Sequence, residues 1–448
     1  MIKRIKLGKI AAISTGYSFK GELYSNEGIP VVRGENVTIG ELRWDNKKYW
    51  NYEFDQFEKY SLKKDDIVIG MDGSRVGRNR AKINENDLPL LLAQRVACVR
   101  NTDLSDQLFL YYVIRDIRFE EYVKRIQTGS SIPHISQTQI EDFTVSYPSL
   151  NTQKKIGLIL SSLDAKIETN NRINAELEAM AKTLYDYWFV QFDFPDANGN
   201  PYKTSGGKMV YSNELKRDIP EGWKVKTLDQ WITNDKSGDW GKESPEGNYT
   251  KKVCCVRGAD INGLNGLGNC NTPIRYILEK NEFKILEPHD LIVEISGGSP
   301  VQSTGRLAYV TEATAKRFEA PLICSNFCKA VSLKNKKQLY NFVYLWNRVY
   351  DNGILFGYEG KTSGIKNLLF DSFVSTYQTV VPQDELTEKF YNFMEPIQNQ
   401  KQRNLLENQK LTEQRDWLLP MLMNGQVTVE DAIEQLGMVA ESSTQYGN

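Results

Sequence analysis

Apolar residues recur in alternating steps of four and three between Asn151 and Gln191. They fall at Ile156, Leu160, Leu163 and Ile167, then give way to Asn170 and Asn174, then resume at Leu177, Ala181, Leu184 and Trp188. Such spacing, held for about four and a half heptads, predicts one long helix with a narrow buried seam. Moving every position on by 234 gives Phe390, Met394, Ile397, Lys401, Asn404, Asn408, Leu411, Arg415, Leu418 and Leu422. A second long helix is predicted there, with cations at Lys401 and Arg415 and a matching asparagine pair at its centre.

The repetition extends beyond the helices. Val32-Arg33-Gly34 is echoed by Val256-Arg257-Gly258 and Asp66-Ile67-Val68 by Asp290-Leu291-Ile292, both at an offset of 224. Gly77-Arg78 is echoed by Gly305-Arg306, and 129–135 more loosely by 361–368. The chain therefore reads as two copies of one unit, each a globular part followed by a long helix; two copies are too few for a solenoid. The fold expected is α+β: two repeated globular domains of mixed strands and helices, separated by two long antiparallel coiled-coil helices with pseudo-two-fold symmetry. The expected boundaries are a first globular domain at 1–148, a central long helix at 149–192 and a linker at 193–222. A second globular domain at 223–382, a C-terminal long helix at 383–425 and a partly disordered tail at 426–448 complete the chain.

Antiparallel pairing in this register brings Asn170 to Asn408 and Asn174 to Asn404. Such a polar layer lowers stability but fixes register, because a slipped pairing sets an amide against leucine. A seam of roughly 33 residues makes a rod of about 50 Å. Pro396 and Pro420 each remove a backbone donor and are expected to bend or interrupt the second helix.

Composition narrows the class. The chain has 448 residues, 40% hydrophobic and 25% charged, as in an ordinary soluble protein. No apolar run approaches the ~20 residues that span a bilayer. Met1 to Leu7 lacks a signal-peptide core, and six cysteines without a secretory signal suit reduced thiols in the cytoplasm. The net charge of −1 means that any nucleic-acid role must rest on local basic patches or basic partners.

Several loops carry recognition chemistry. Residues 70–82 read GMDGSRVGRNRAK, where Gly73, Ser74, Arg75, Arg78, Arg80 and Lys82 combine close backbone approach with guanidinium donors. Arginine reaches phosphates or the O6/N7 edge of guanine. A second loop, 127–134, offers Thr128, Ser130, Ser131 and His134. In the second copy the corresponding candidates are Ser299, Gln302, Ser303 and Arg306, then Ser325 and Asn326, then Lys361, Thr362 and Lys366. The aromatic run from Trp44 to Tyr60 reads as core packing ahead of base stacking.

Catalytic patterns fail. Asn200-Pro201-Tyr202 lacks a proline of the amino-methyltransferase signature, Gly263 to Gly268 lacks the strand and helix of a nucleotide fingerprint, and Gly360-Lys361-Thr362 lacks the first glycine of a phosphate loop. Pro195-Asp196 with Glu214 and Lys216 formally matches a nuclease pattern but sits in a Gly/Pro-rich stretch. Neither a catalytic residue nor a metal site is expected.

With its repeat layout, its YDYWFVQFDFP, NGNPYKTSGG and IPEGW passages between Tyr185 and Trp223, and its WLLPMLMNGQV at Trp417–Val427, the chain resembles the DNA-specificity subunits of type I restriction–modification systems. The resemblance implies two target-recognition domains that read the halves of a split double-stranded DNA site, with the helices as spacer. It also implies two methyltransferase subunits and restriction subunits as partners, no membrane, and no enzyme activity in this chain. S-adenosylmethionine, ATP and magnesium would then reside on those partners. An orphan coiled-coil scaffold and, more weakly, a stand-alone nuclease are the alternatives.

Overall fold

The computed structural model describes residues 3–51, 55–128, 132–297, 299, 301–362, 364–434 and 437. The chain forms two compact units, Met1–Ile167 with Lys410–Asn448, and Glu168–Gln409. The division falls inside both long helices, so each unit holds a stretch of each.

In the first unit the strands Ala11–Thr15, Val96–Asn101, Ile67–Gly70, Arg80–Lys82 and Ile39–Gly40 lie side by side in that order. Ile67–Gly70 is buried at every position, which is why it reads as a continuous apolar run. A small sheet centres on Ile29–Val32, antiparallel to Tyr49–Trp50 and parallel to Leu91–Leu92. Arg4–Lys6 pairs with Thr144–Ser146. The helix Gln107–Arg115 starts where the Asp106 carboxylate accepts from the Phe109 amide, and it buries Phe109 through Ile114.

Among the described residues the second unit repeats this plan without a counterpart of Ile39–Gly40 in its main sheet. Ile232–Ser237, Cys328–Leu333, Leu291–Glu294 and Leu307–Tyr309 form the main sheet in that order. Tyr249–Val256 stands between antiparallel Ile274–Leu278 and parallel Leu322–Cys324, and Lys224–Thr227 pairs with Gln378–Val381. The sequence echoes gain physical causes. Asp66 and Asp290 each accept the amide three residues earlier, from Lys63 and Glu287. A Cβ on Gly34 would lie 2.8 Å from Asp72 Oδ1, and one on Gly258 2.8 Å from Glu294 Oε1, so both echoed glycines admit a carboxylate. The Gly-Arg echo is not structural. Gly70 donates to the Asn79 carbonyl and Glu294 to that of Arg306, which sets Arg306 opposite Asn79 rather than Arg78. The second unit also adds a sheet of Ser296–Gly297, Ile365–Leu368 and Glu359–Thr362.

The first long helix runs Leu150–Tyr185 and widens to a π-turn over Asp186–Val190; the second runs Asp384–Asn424. Their seams pair antiparallel within each unit. In the second unit Asn170 Nδ2 donates to Asn408 Oδ1 at 2.9 Å, and Asn404 Nδ2 to Asn174 Oδ1 at 2.8 Å, as the register required. Asn408 also donates to Asn171, and Asn174 to the Lys401 carbonyl. Lys401, the cation in the seam, pairs with Glu178. Phe390 and Met394 are buried against Ala181, Tyr185 and Trp188, with Leu184 and Ile397 partly buried beside them. In the first unit Ile156, Leu160 and Leu163 share one core with Leu418 and Leu422, and Leu411 borders it. There the seam cation Arg415 reaches Asp164 at 2.7 Å. Ile167 and Leu177 are half-buried.

Of the expected bend or interruption at Pro396 and Pro420, the interruption does not occur, because the helix is continuous through both. Gly425 follows it at φ 73, and Gln426 donates back to the Met421 carbonyl, a glycine C-terminal cap. Residues 193–222, read from composition as a linker, are folded: Met209–Ser212 and Arg217–Pro220 form a hairpin, and Phe194, Ile219 and Trp223 are buried. The expected disordered tail lies mostly outside the described residues.

Candidate nucleic-acid interface

In the first unit the two loops singled out in the sequence adjoin. Gly73 donates to the Pro133 carbonyl, Ile135 to that of Met71, and Thr128 and His134 exchange backbone bonds. The Thr128 hydroxyl lies 3.0 Å from His134 Nε2. Ser130 and Ser131 fall outside the described residues. Gly73 takes φ 98, a left-handed conformation that presents Ser74 and Arg75 to solvent.

The four cations of 75–82 separate by role. Arg78 meets Glu120 at 2.6 Å while staying half-exposed. Arg80 donates to the Gly77 and Arg115 carbonyls, and burial, with Arg115 beside it, pulls its pKa down to about 10. Lys82 lies over the Tyr111 ring, 3.6 Å from Asp65. Arg80 is thus held inside the unit by two backbone carbonyls, whereas Lys82 is only partly committed. Among the described residues Arg75 makes no ion pair. Sequence reasoning missed Arg95, which is exposed and reaches Asp72 at 2.9 Å beside Gly34.

In the second unit three separate loops converge. Ser296–Gly297 pairs with Lys366 and Asn367, and Ile295 and Ser296 both donate to the Phe327 carbonyl. Between them opens a cleft of about 640 Å³, lined by Trp240, Arg257, Glu294, Asn326, Phe327 and Ile365 among others. Trp240, Phe327 and Ile365 expose apolar surface there, while Arg257 is held by Asp260 through two hydrogen bonds. Gln302 and Asn326 are exposed and Ser299 half-exposed.

Three expected contacts are corrected. Arg306 forks onto Glu294 at 2.9 and 2.5 Å; the carboxylate raises its pKa and fixes it inside the unit. Ser303 and Ser325 are buried, so neither side chain reaches solvent. Lys366 is partly committed, 3.1 Å from Glu359 and over the Phe356 ring. Lys361 and Thr362 lie in the added strand. Trp240 and Phe327 were missed because the sequence separates them and an exposed aromatic looks like any core aromatic; their only signal is position beside the Arg257-Gly258 and Ser325-Asn326 turns.

Among the described residues no group of acids, histidines and cysteines could hold a metal, and no helix is long and apolar enough to cross a membrane. Asp196 caps its own turn through the Asn198 and Asn200 amides, while Glu214 accepts from Ser212. The formal nuclease residues are thus occupied in local turns.

Residues 2–179 match the family described as the type I restriction modification DNA specificity domain. The curated relatives it matches are specificity subunits of type I restriction–modification systems. The MjaIX specificity subunit of Methanocaldococcus jannaschii is 24% identical over 72% of this chain and 69% of its own length. The HindI specificity subunit of Haemophilus influenzae is 25% identical over 82% and 88%, and the EcoAI subunit of Escherichia coli 32% over 40% and 30%. The crystal structure of an S subunit from M. genitalium shares the fold, with a TM-score of 0.56 at 16% identity over 94% of this chain and 96% of that one.

Proposed function

We propose that this chain is a specificity subunit that reads a bipartite DNA target, one half with each unit, and recruits two methyltransferase subunits and the restriction subunits. S-adenosylmethionine, ATP and magnesium reside on those partners. The observation that carries the reading is the duplicated scaffold with unlike rims. Each unit places its loops around an echoed Arg-Gly turn, but the first offers Arg75, Arg95 and His134, and the second an aromatic cleft with Asn326, and an exposed Gln302 outside it. Arginine and histidine suit phosphates and guanine edges, whereas an aromatic and amide rim suits thymine methyls and adenine. Replacing residues 1–148 with a homologue's equivalent, then mapping methylated adenines made with a cognate methyltransferase, should change one half of the target only. A simultaneous change in both halves would refute the two-module reading.

A further inference from the structure

In the second unit a cavity of about 280 Å³ opens between the helix Leu339–Asp351 and the strand Gln378–Val381, near the lower end of the size range of small-ligand pockets. Its walls are aromatic, from Tyr185, Phe189, Trp223 and Tyr377. Three donors meet that apolar lining. Arg217 lies over the Phe192 ring and makes no ion pair among the described residues. Among the described residues Arg348 reaches only the partly exposed Asp186, at 3.4 Å. Asn341 is 3% exposed, and its Nδ2 meets no acceptor. A buried amide donor without a partner is costly, of order 1–3 kcal/mol, so its retention needs a reason.

The first unit shows the same place closed. Between the helix Gln107–Arg115 and the strand Thr144–Ser146 only about 30 Å³ remains, bounded by Phe143 and Met423. The helix there buries an unbroken apolar run, and Arg118 is forked onto Asp116. The scaffold thus does not require the opening, the free amide or the guanidinium pair.

We propose that this cavity binds a carboxylate carried on a compact apolar body. The body stacks on the aromatic walls, and the carboxylate oxygens accept from the Arg217 and Arg348 guanidinium groups and from Asn341 Nδ2. Guanidinium–carboxylate bonds are charge-assisted and directional, and the aromatic side chains of the lining supply the apolar contact. The donors could serve a free small acid or the C-terminal carboxylate of a polypeptide ending in an apolar residue.

The test is calorimetric titration of the full chain with hydrocinnamate, with its neutral amide, and with a short peptide ending in phenylalanine as free acid or as amide. The acids should bind at least about tenfold more tightly than the amides, the loss expected on removing one charged acceptor. Arg217→Gln and Arg348→Gln should each weaken the acid by a similar factor. Asn341→Leu should abolish binding while raising the unfolding temperature, since it removes an unpaired donor and fills the space. Tighter binding of the peptide acid assigns the site to a polypeptide tail, and tighter binding of hydrocinnamate to a free small acid; either sustains the proposal. No binding of either acid, or equal binding of acids and amides, overturns it.

Discussion

The two units share a scaffold and differ at the rim. Their main sheets run in the same strand order, and both small sheets centre on the strand that leads into an Arg-Gly turn. Yet the first keeps Arg75, Arg78 and Arg95 exposed even where a carboxylate holds them, while the second fixes its arginine on buried Glu294 and builds an extra sheet beside an aromatic cleft. The lesson is that charge in a loop does not identify a contact residue. Arg75 and Arg306 look alike in sequence; only the long-range carboxylate separates them.

The largest expected effect sharpens that contrast. Arg306→Ala leaves Glu294, itself 6% exposed, buried without its cation, and should cost about 3–5 kcal/mol in urea unfolding. Arg75→Ala touches no carboxylate and should leave the unfolding curve unchanged. Its DNA affinity, measured in the assembled complex, should fall, with a salt slope reduced by about one if the contact is to phosphate. Loss of stability in the second variant, or none in the first, would reverse the assignment of roles.

A smaller effect is expected in both helix stretches. In the first unit Asp164 accepts from Tyr112, Arg115 and Arg415, at 2.6, 2.5 and 2.7 Å. Burial alone would raise its pKa, but the two arginines and the tyrosine outweigh burial and hold it below the usual carboxylate value. A depressed folded pKa stabilises at pH values above the unfolded value of ~3.9, and the contribution is lost as pH falls through the folded value. Asp164→Ala should therefore cost about 2–3 kcal/mol at neutral pH and progressively less on acidification. The corresponding cation in the second unit, Lys401, is 7% exposed and pairs with Glu178, so Glu178→Ala strands it and should cost a similar amount at neutral pH. Urea melts of both variants at neutral pH, and of the first across the acid range, check these costs.

Much of this was legible in the sequence, and the reason is locality. Helix seams, the asparagine layer and the buried strand at 67–70 are local patterns that recur in the second copy, and Gly425 is a local cap signal. The roles of Arg80, Arg306 and Ser325 were not legible, because each depends on a partner or a burial set by residues far along the chain. Hairpin 209–220 was hidden for a related reason. Its turn-forming residues announce flexibility, while the phenylalanines and tryptophan that bury it are spread over the flanks.

The smallest expected change in stability belongs to the asparagine layer, and it separates stability from specificity. Asn174 and Asn404 are both buried and share one hydrogen bond of 2.8 Å, and Gln400 donates to Asn404 as well. Changing Asn404 alone to leucine strands the Asn174 carbonyl and the Gln400 amide, which should cost about 1–3 kcal/mol. Changing both Asn174 and Asn404 to leucine removes donor and acceptor together, and apolar seam contacts replace them. The double variant should then recover most of the loss and lie within about 1 kcal/mol of the parent. Its defect should appear elsewhere. Without the amide pair, a slipped helix register no longer sets amide against leucine, so alternative pairings compete. Cysteine pairs placed across the seam at in-register and one-heptad-shifted positions should cross-link only in register in the parent, and at both in the double variant. A double variant that loses as much stability as the sum of its singles, or that cross-links only in register, would show that the layer contributes cohesion and not alignment.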